Sequence, residues 1–137
     1  MAQANAVVAA ALEEGRKLGL RPLTVAVVDA GGHLQALQRQ DGASTLRPQI
    51  AIAKANGGLA LGISSRKIGE MASDRPSFVA SLGLIAAYGM VPAAGGVIVV
   101  DKEGITIGAV GVTGDTSDND ELCALAGIAA AGLTAQG

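Results

Sequence analysis

Val25-Ala-Val-Val-Asp29-Ala-Gly-Gly32 and Val97-Ile-Val-Val-Asp101-Lys-Glu-Gly104 are nearly the same phrase, 72 residues apart, and each runs on into another apolar stretch. A run of Val and Ile reads as a buried strand. Asp followed three residues later by Gly supplies the reversal: the carboxylate accepts amide protons of the turn, and Gly takes the positive φ that other residues resist. Two β-hairpins are therefore expected. Polar residues gather just beyond each return strand, at Arg39-Gln-Asp41-Gly42 and at Thr113-Gly-Asp-Thr-Ser-Asp-Asn-Asp-Glu121, which is where a ligand is expected.

Outward from the hairpins, Val7, Val8, Ala11, Leu12, Gly15 and Leu18 recur with helical period, which predicts an amphipathic helix over Ala6–Leu18 with Asn5 as cap and Gly19 as its stop. Arg21-Pro22 forces extended backbone into a strand over Leu23–Val28, and Leu34–Arg39 returns with imperfect alternation. Pro48 opens a largely buried helix to about Leu61. Ser64 or Ser65 caps a short helix through Met71, and Pro76 opens another with Phe78, Val79 and Leu82. After the glycine-rich Gly89–Gly96 segment come strands Val97–Val100 and Ile105–Val112, with Gly108 and Gly111 marking close packing or a bulge. A helix over Asp118–Leu133 closes the chain, with Asp118 and Glu121 spaced as a capping box. Helix, hairpin, helices, hairpin, helix gives an antiparallel sheet with packed helices, the α+β class.

A chain of 137 residues is one domain, 1–137, with no linker. Half of its residues are apolar and only 16% are charged, so a monomer would struggle to cover itself with polar groups, and a homo-oligomer is expected. A net charge of −2 with Phe78 and Tyr88 as the only aromatics excludes the usual footprint of nucleic-acid binding. The single cysteine, Cys123, forms no internal disulfide and no cysteine-based metal site, and no metal is expected. Ala6–Leu12 lacks a preceding Lys or Arg and runs into Glu13 and Glu14, unlike a secretory signal. No window has the length of a membrane span, so a cytoplasmic protein is expected.

The glycine spacing Gly108-x-x-Gly111-x-x-Gly114 is not that of a dinucleotide fold, and no phosphate-binding loop of the G-x4-G-K-[ST] type occurs. An EF-hand starting at Asp115 fails, because its sixth position is Asp120 and its twelfth is Ala126. Asp29 and Asp101 are explained as turn acceptors. His33, the one histidine, follows a turn and is either a surface residue or a base. Arg39 and Lys54 are the most informative cations: Lys54 sits in an apolar, glycine-bearing helix and needs a counter-charge. That partner is either Asp41, in a structural salt bridge, or an external carboxylate or phosphate. Thr113, Asp115 and Asp120 are candidate polar contacts, beside the reading of the acidic run as a helix start. Cys123 reads as a packing residue or a thiol near a helix N-terminus.

Taken in order, Val-Val-Asp29-Ala-Gly-Gly-His-Leu, Gln-Arg39-Gln-Asp41-Gly-Ala, Ile52-Ala-Lys54-Ala, Gly95-Gly96-Val, Ile-Gly108-Ala-Val-Gly-Val-Thr-Gly114 and Asp-x-Asp120-Glu resemble the GlcG/HbpS-like family, which includes the C-terminal domain of PduO-type proteins. The resemblance implies a profilin-like, five-stranded antiparallel sheet with helices around it, and assembly into dimers and larger oligomers. It also implies haem as a possible cofactor, with His33, the three methionines including Met1, Cys123 and Tyr88 as the available axial donors and no histidine in the first helix. On matching positions it carries over Arg39, Asp41, Lys54, Gly95, Gly96, Thr113 and Asp120 as lining a shared pocket. Three functions follow as expectations: a binder of a small anionic ligand, haem among the candidates; an enzyme of small-molecule carbon metabolism in which Asp120, Asp115 or His33 moves a proton; or an oligomeric accessory protein without ligand.

Overall fold

A computed structural model describes residues 2–137. The elements run α1 (Ala4–Leu18), β1 (Thr24–Asp29), β2 (Leu34–Arg39), α2 (Arg47–Leu61), α3 (Ser65–Asp74), α4 (Pro76–Ile85), β3 (Gly96–Val100), β4 (Thr106–Thr113), α5 (Ser117–Ala130) and β5 (Thr134–Ala135). The strands form one sheet in the order β2-β1-β4-β3-β5, antiparallel throughout. Both hairpins are built alike. Asp29 Oδ1 accepts from the amides of Gly31 and His33 at 2.9 and 3.0 Å, and Asp101 Oδ1 accepts from those of Glu103 and Ile105, both at 2.9 Å. Gly32 and Gly104 take φ of 83° and 82°.

The inner strands are apolar at nearly every position because the sheet is covered on both faces. On one face Val25, Val27, Val97, Val99, Val110 and Val112 pack with Leu23 against Val7, Val8, Ala11 and Leu12 of α1 and Cys123, Ala124 and Ile128 of α5. On the other, Val28 and Ala109 meet Ala55 and Leu59 of α2. That second face is paved with small residues. A Cβ at Gly111 would collide with the Ala51 carbonyl of α2, and one at Gly96 with that of Lys54, so α2 lies almost on the backbone of β3 and β4. The irregularity expected near Gly108 is a register shift between Val99 and Val100, opposite Gly108.

Three local expectations need correction. Asn5 is not the cap of α1; Gln3 holds that place without a side-chain bond, and Asn5 falls inside the first turn. Thr116, not Asp118, caps α5: its hydroxyl accepts from the Asn119 amide at 3.3 Å, while Asp118 and Glu121 reach across to Arg66. The last helix stops at Ala130, because the chain turns at Gly132 (φ 76°) and supplies the two residues of β5 beside β3. Helix α3 runs three residues beyond Met71, and its N-cap is Ser64. Among the described residues no helix is long and apolar enough to cross a membrane.

Gly111→Ala is expected to destabilise the fold by about 3 kcal/mol or more, since its methyl group must displace helix backbone, not a flexible side chain. Gly104→Ala meets open space but keeps a positive φ, and should cost only about 1 kcal/mol. Chemical denaturation of the two variants tests the contrast.

Candidate functional site

The first residue of β1 and the last residues of β2 and β4 lie side by side: Thr24 is registered with Arg39 on one side and Thr113 on the other. Directly opposed residues share a face, so all three side chains are on the face covered by α2, within two strand spacings, about 10 Å. Helix α2 begins at this row. Arg47, its first residue, donates from Nη1 to Thr113 Oγ1 at 2.8 Å. Arg39 donates to the carbonyl of Ala43, in the loop between β2 and α2, at 2.8 Å. The Thr24 hydroxyl, fully buried between Arg39 and Thr113, has no hydrogen-bond partner among the described residues.

Two turns into α2, Lys54 is 3% exposed, and its ammonium donates to the Val112 carbonyl at 3.0 Å and to Asp120 Oδ2 at 3.2 Å. Asp120 is 1% exposed, and its other oxygen accepts from the Asp115 amide at 2.9 Å. The counter-charge of Lys54 is therefore Asp120 and not Asp41, which is exposed and makes no hydrogen bond or ion pair among the described residues. Gly95 and Gly96 complete the cluster by absence of side chain: a Cβ at Gly95 would stand 2.8 Å from Lys54 Nζ. Burial pushes the Lys54 ammonium below its ordinary value; Asp120 opposes that shift and nearby Arg47 adds to it.

Arg47 was not singled out by the sequence reading. It is a half-buried cation at the start of a helix, where the macrodipole is positive, with a second cation close by and no carboxylate partner among the described residues. The legible signal was the position itself: Arg directly before Pro48, at the end of a helix that favours acidic residues. Arg39 and Asp41, with Arg16, Leu20, Pro22, Gln38 and Gln40, border a groove of about 440 Å³ at this end of the sheet.

The proposed proton-transfer residues do not converge. Asp115 is held well below the usual carboxylate range by the Asn119 amide, the Thr116 amide and the Arg21 amide. Asp120 is committed to Lys54. His33 sits beyond the far end of β1, about 17 Å along the strand from Thr24, with its side chain 75% exposed and Nδ1 3.2 Å from Asp29 Oδ1. Cys123 is buried, which pushes its thiol up to about 11, and it serves the core between α1 and α5. No group of three or more metal-ligating side chains occurs among the described residues.

An antiparallel sheet between helices, with two arginines at one end and a buried lysine–aspartate pair beneath them, defines an α+β protein with a cationic sheet end. The chain belongs to the HbpS-like family: the family model described as haem degrading protein HbpS-like matches residues 1–129. It is 39% identical over 112 residues to protein GlcG of Escherichia coli K12, covering 80% of this chain and 77% of GlcG. Among solved structures it resembles HbpS (TM-score 0.78, 30% identity, 93% of this chain and 85% of that one) and Klebsiella pneumoniae protein ORFY (0.85, 27%, 96% and 88%). It also shares its fold with PduOC, solved as a haem complex (0.87, 23%, 100% and 97%).

Removing one partner of the buried pair strands the other, so Asp120→Ala should cost about 3–5 kcal/mol, whereas Lys54→Met combined with Asp120→Leu should cost less than Asp120→Ala alone. Denaturant titration of the three proteins checks this. The lowered Asp115 pKa gives a contribution to stability that is complete above the ordinary value of 3.8 and is lost as the pH falls below it. Asp115→Asn should therefore flatten the acid limb of a stability–pH profile.

Proposed function

We propose that this protein binds a small anionic molecule, a carboxylate or phosphate, at the sheet end carrying Arg39 and Arg47, and that it works as an assembly of identical chains. The observation that carries the reading is Arg47: a half-buried guanidinium opposed by the α2 dipole and by Lys54, and balanced by no carboxylate among the described residues. A cation so placed is stabilised when an anion arrives, and a planar guanidinium grips carboxylate or phosphate oxygens in pairs. Arg39 supplies the second donor; it also borders a groove of about 440 Å³, of metabolite size, that lies toward α1 and does not include Arg47 in its lining. In this reading Lys54 and Asp120 hold α2 against β4 and so fix Arg47, Thr113, Gly95 and Gly96 as the floor of the site, while Asp41 stands at its rim.

Haem, bound by PduOC and implied by the family description, fits this site poorly. None of His33, Tyr88, Met71, Met90 or Cys123 borders the Arg39 groove. The side chain best prepared to meet iron is His33, oriented through Nδ1 by Asp29. It stands at the opposite end of β1, so one protomer does not offer its histidine and its arginine pair to the same porphyrin. Met1 lies outside the described residues.

Native mass spectrometry of the purified protein is expected to find a retained small acid. Each bond from arginine to an anion is worth about 1.5–3 kcal/mol, so Arg47→Ala and Arg39→Ala should each weaken retention at least ~10-fold. Full retention by both variants would overturn the assignment.

A further inference from the structure

We infer that the hollow beside the β1–β2 turn is a second small-molecule site, which takes an uncharged molecule with an apolar body and one carbonyl group, held by the carboxamide of Asn56. The inference is independent of the anion site proposed above, which lies at the other end of β1. The hollow, of about 300 Å³, is bordered by the turn itself (Ala30–Gly32), the second half of α2 (Asn56, Leu59, Ala60) and the segment that follows α4 (Ala86–Gly89). Its size is at the lower end for small-molecule sites, enough for a single ring. Asn56 is the residue that needs explaining. A carboxamide inside a helix is a poorer choice than the alanines and leucine around it, and its Nδ2 is buried with no hydrogen-bond partner among the described residues. A buried donor left unpaired is costly, and the bond it lacks is one that a ligand acceptor can make.

The surroundings decide which acceptor. None of the described residues that line the hollow carries a charge. An anion would approach the last turn of α2, where free carbonyls concentrate negative charge, and the Asp29 carboxylate that holds the Gly31 amide. A cation would find no carboxylate in the lining to balance it. A neutral carbonyl meets neither objection, and Leu59, the alanines and the ring of Tyr88 offer apolar surface to the rest of the molecule. Gly32 fixes the carboxamide: it takes φ of 83°, and a Cβ there would collide with Asn56 Oδ1, so turn and side chain are fitted to each other. The last torsion of asparagine is soft. A half-turn about it exchanges oxygen and nitrogen and brings the N–H to the side where Oδ1 lies against the turn, within reach of a ligand carbonyl. The oxygen left inside is better tolerated without a partner than the N–H it replaces.

An NMR titration of the isotope-labelled full chain with cyclopentanone, against cyclopentanecarboxylate as the charged control, tests the assignment. The ketone should give saturable shifts at the backbone amides of Gly31, Gly32 and Gly89 and at the Asn56 carboxamide protons, and the carboxylate should leave them in place. Asn56→Leu keeps the shape and removes the donor, so it should weaken ketone binding about fivefold, the loss of one neutral hydrogen bond. It should not lower the thermal midpoint, because Asn56 Nδ2 has no partner to lose. Ala60→Phe, on the exposed side of α2, fills the hollow and should abolish the shifts. A wild type whose amides do not respond saturably overturns the site. Equal binding by Asn56→Leu, or a loss of stability in that variant, overturns the role of the carboxamide. A carboxylate that moves the same amides overturns the preference for a neutral ligand, and shifts that persist in Ala60→Phe overturn their placement in the hollow.

Discussion

The buried pair of Lys54 and Asp120 is the constraint around which the α2 side of the protein is arranged. A lysine taken out of water must find a partner or lose its proton. Here it finds a carboxylate from the first turns of α5 and a carbonyl from the end of β4, which ties three elements to one ammonium group. Asp120 passes the constraint on by accepting the Asp115 amide, so the loop entering α5 is fixed by the same two charges. Such pairs add little net stability compared with an apolar pair of equal volume, whereas removing one partner leaves an uncompensated buried charge.

The glycines are the other half of that constraint. Lys54 reaches the end of β4 only because α2 lies close to the sheet, and α2 lies close only where Gly96 and Gly111 offer no side chain. Gly95 leaves room for the ammonium itself. Family-like positions that look like ligand contacts in a list of residues thus act here first on backbone spacing. The cationic surface formed by Arg39 and Arg47 rests on that spacing, since Arg47 is carried by α2 and tethered to Thr113 of β4.

How much of this was legible follows the range of the interactions. Both hairpins were readable because an aspartate and a glycine three residues apart contain the whole turn. Helices that start at proline or at Ser64 and stop at Gly19 were readable for the same reason. The partner of Lys54 was not, because Asp41 is 13 residues away and Asp120 is 66, and nothing local distinguishes them. The start of α5 is ambiguous in the sequence because Thr116 and Asp118 are both good caps, and only the position of the preceding strand decides between them. The fifth strand came from the family resemblance alone: two residues carry no period. Arg47 is hidden in the sequence because an arginine before a proline looks like an ordinary surface residue until its neighbours are known.

The two margins of the sheet have a further consequence. On one side β2 turns Gln35, Gln38 and Arg39 outward, and on the other a two-residue strand finishes β3 and ends the ladder. Neither margin gives an incoming chain a long, flat, apolar row of amides to extend. Growth of this protein into fibrils by strand addition is thereby discouraged at both ends.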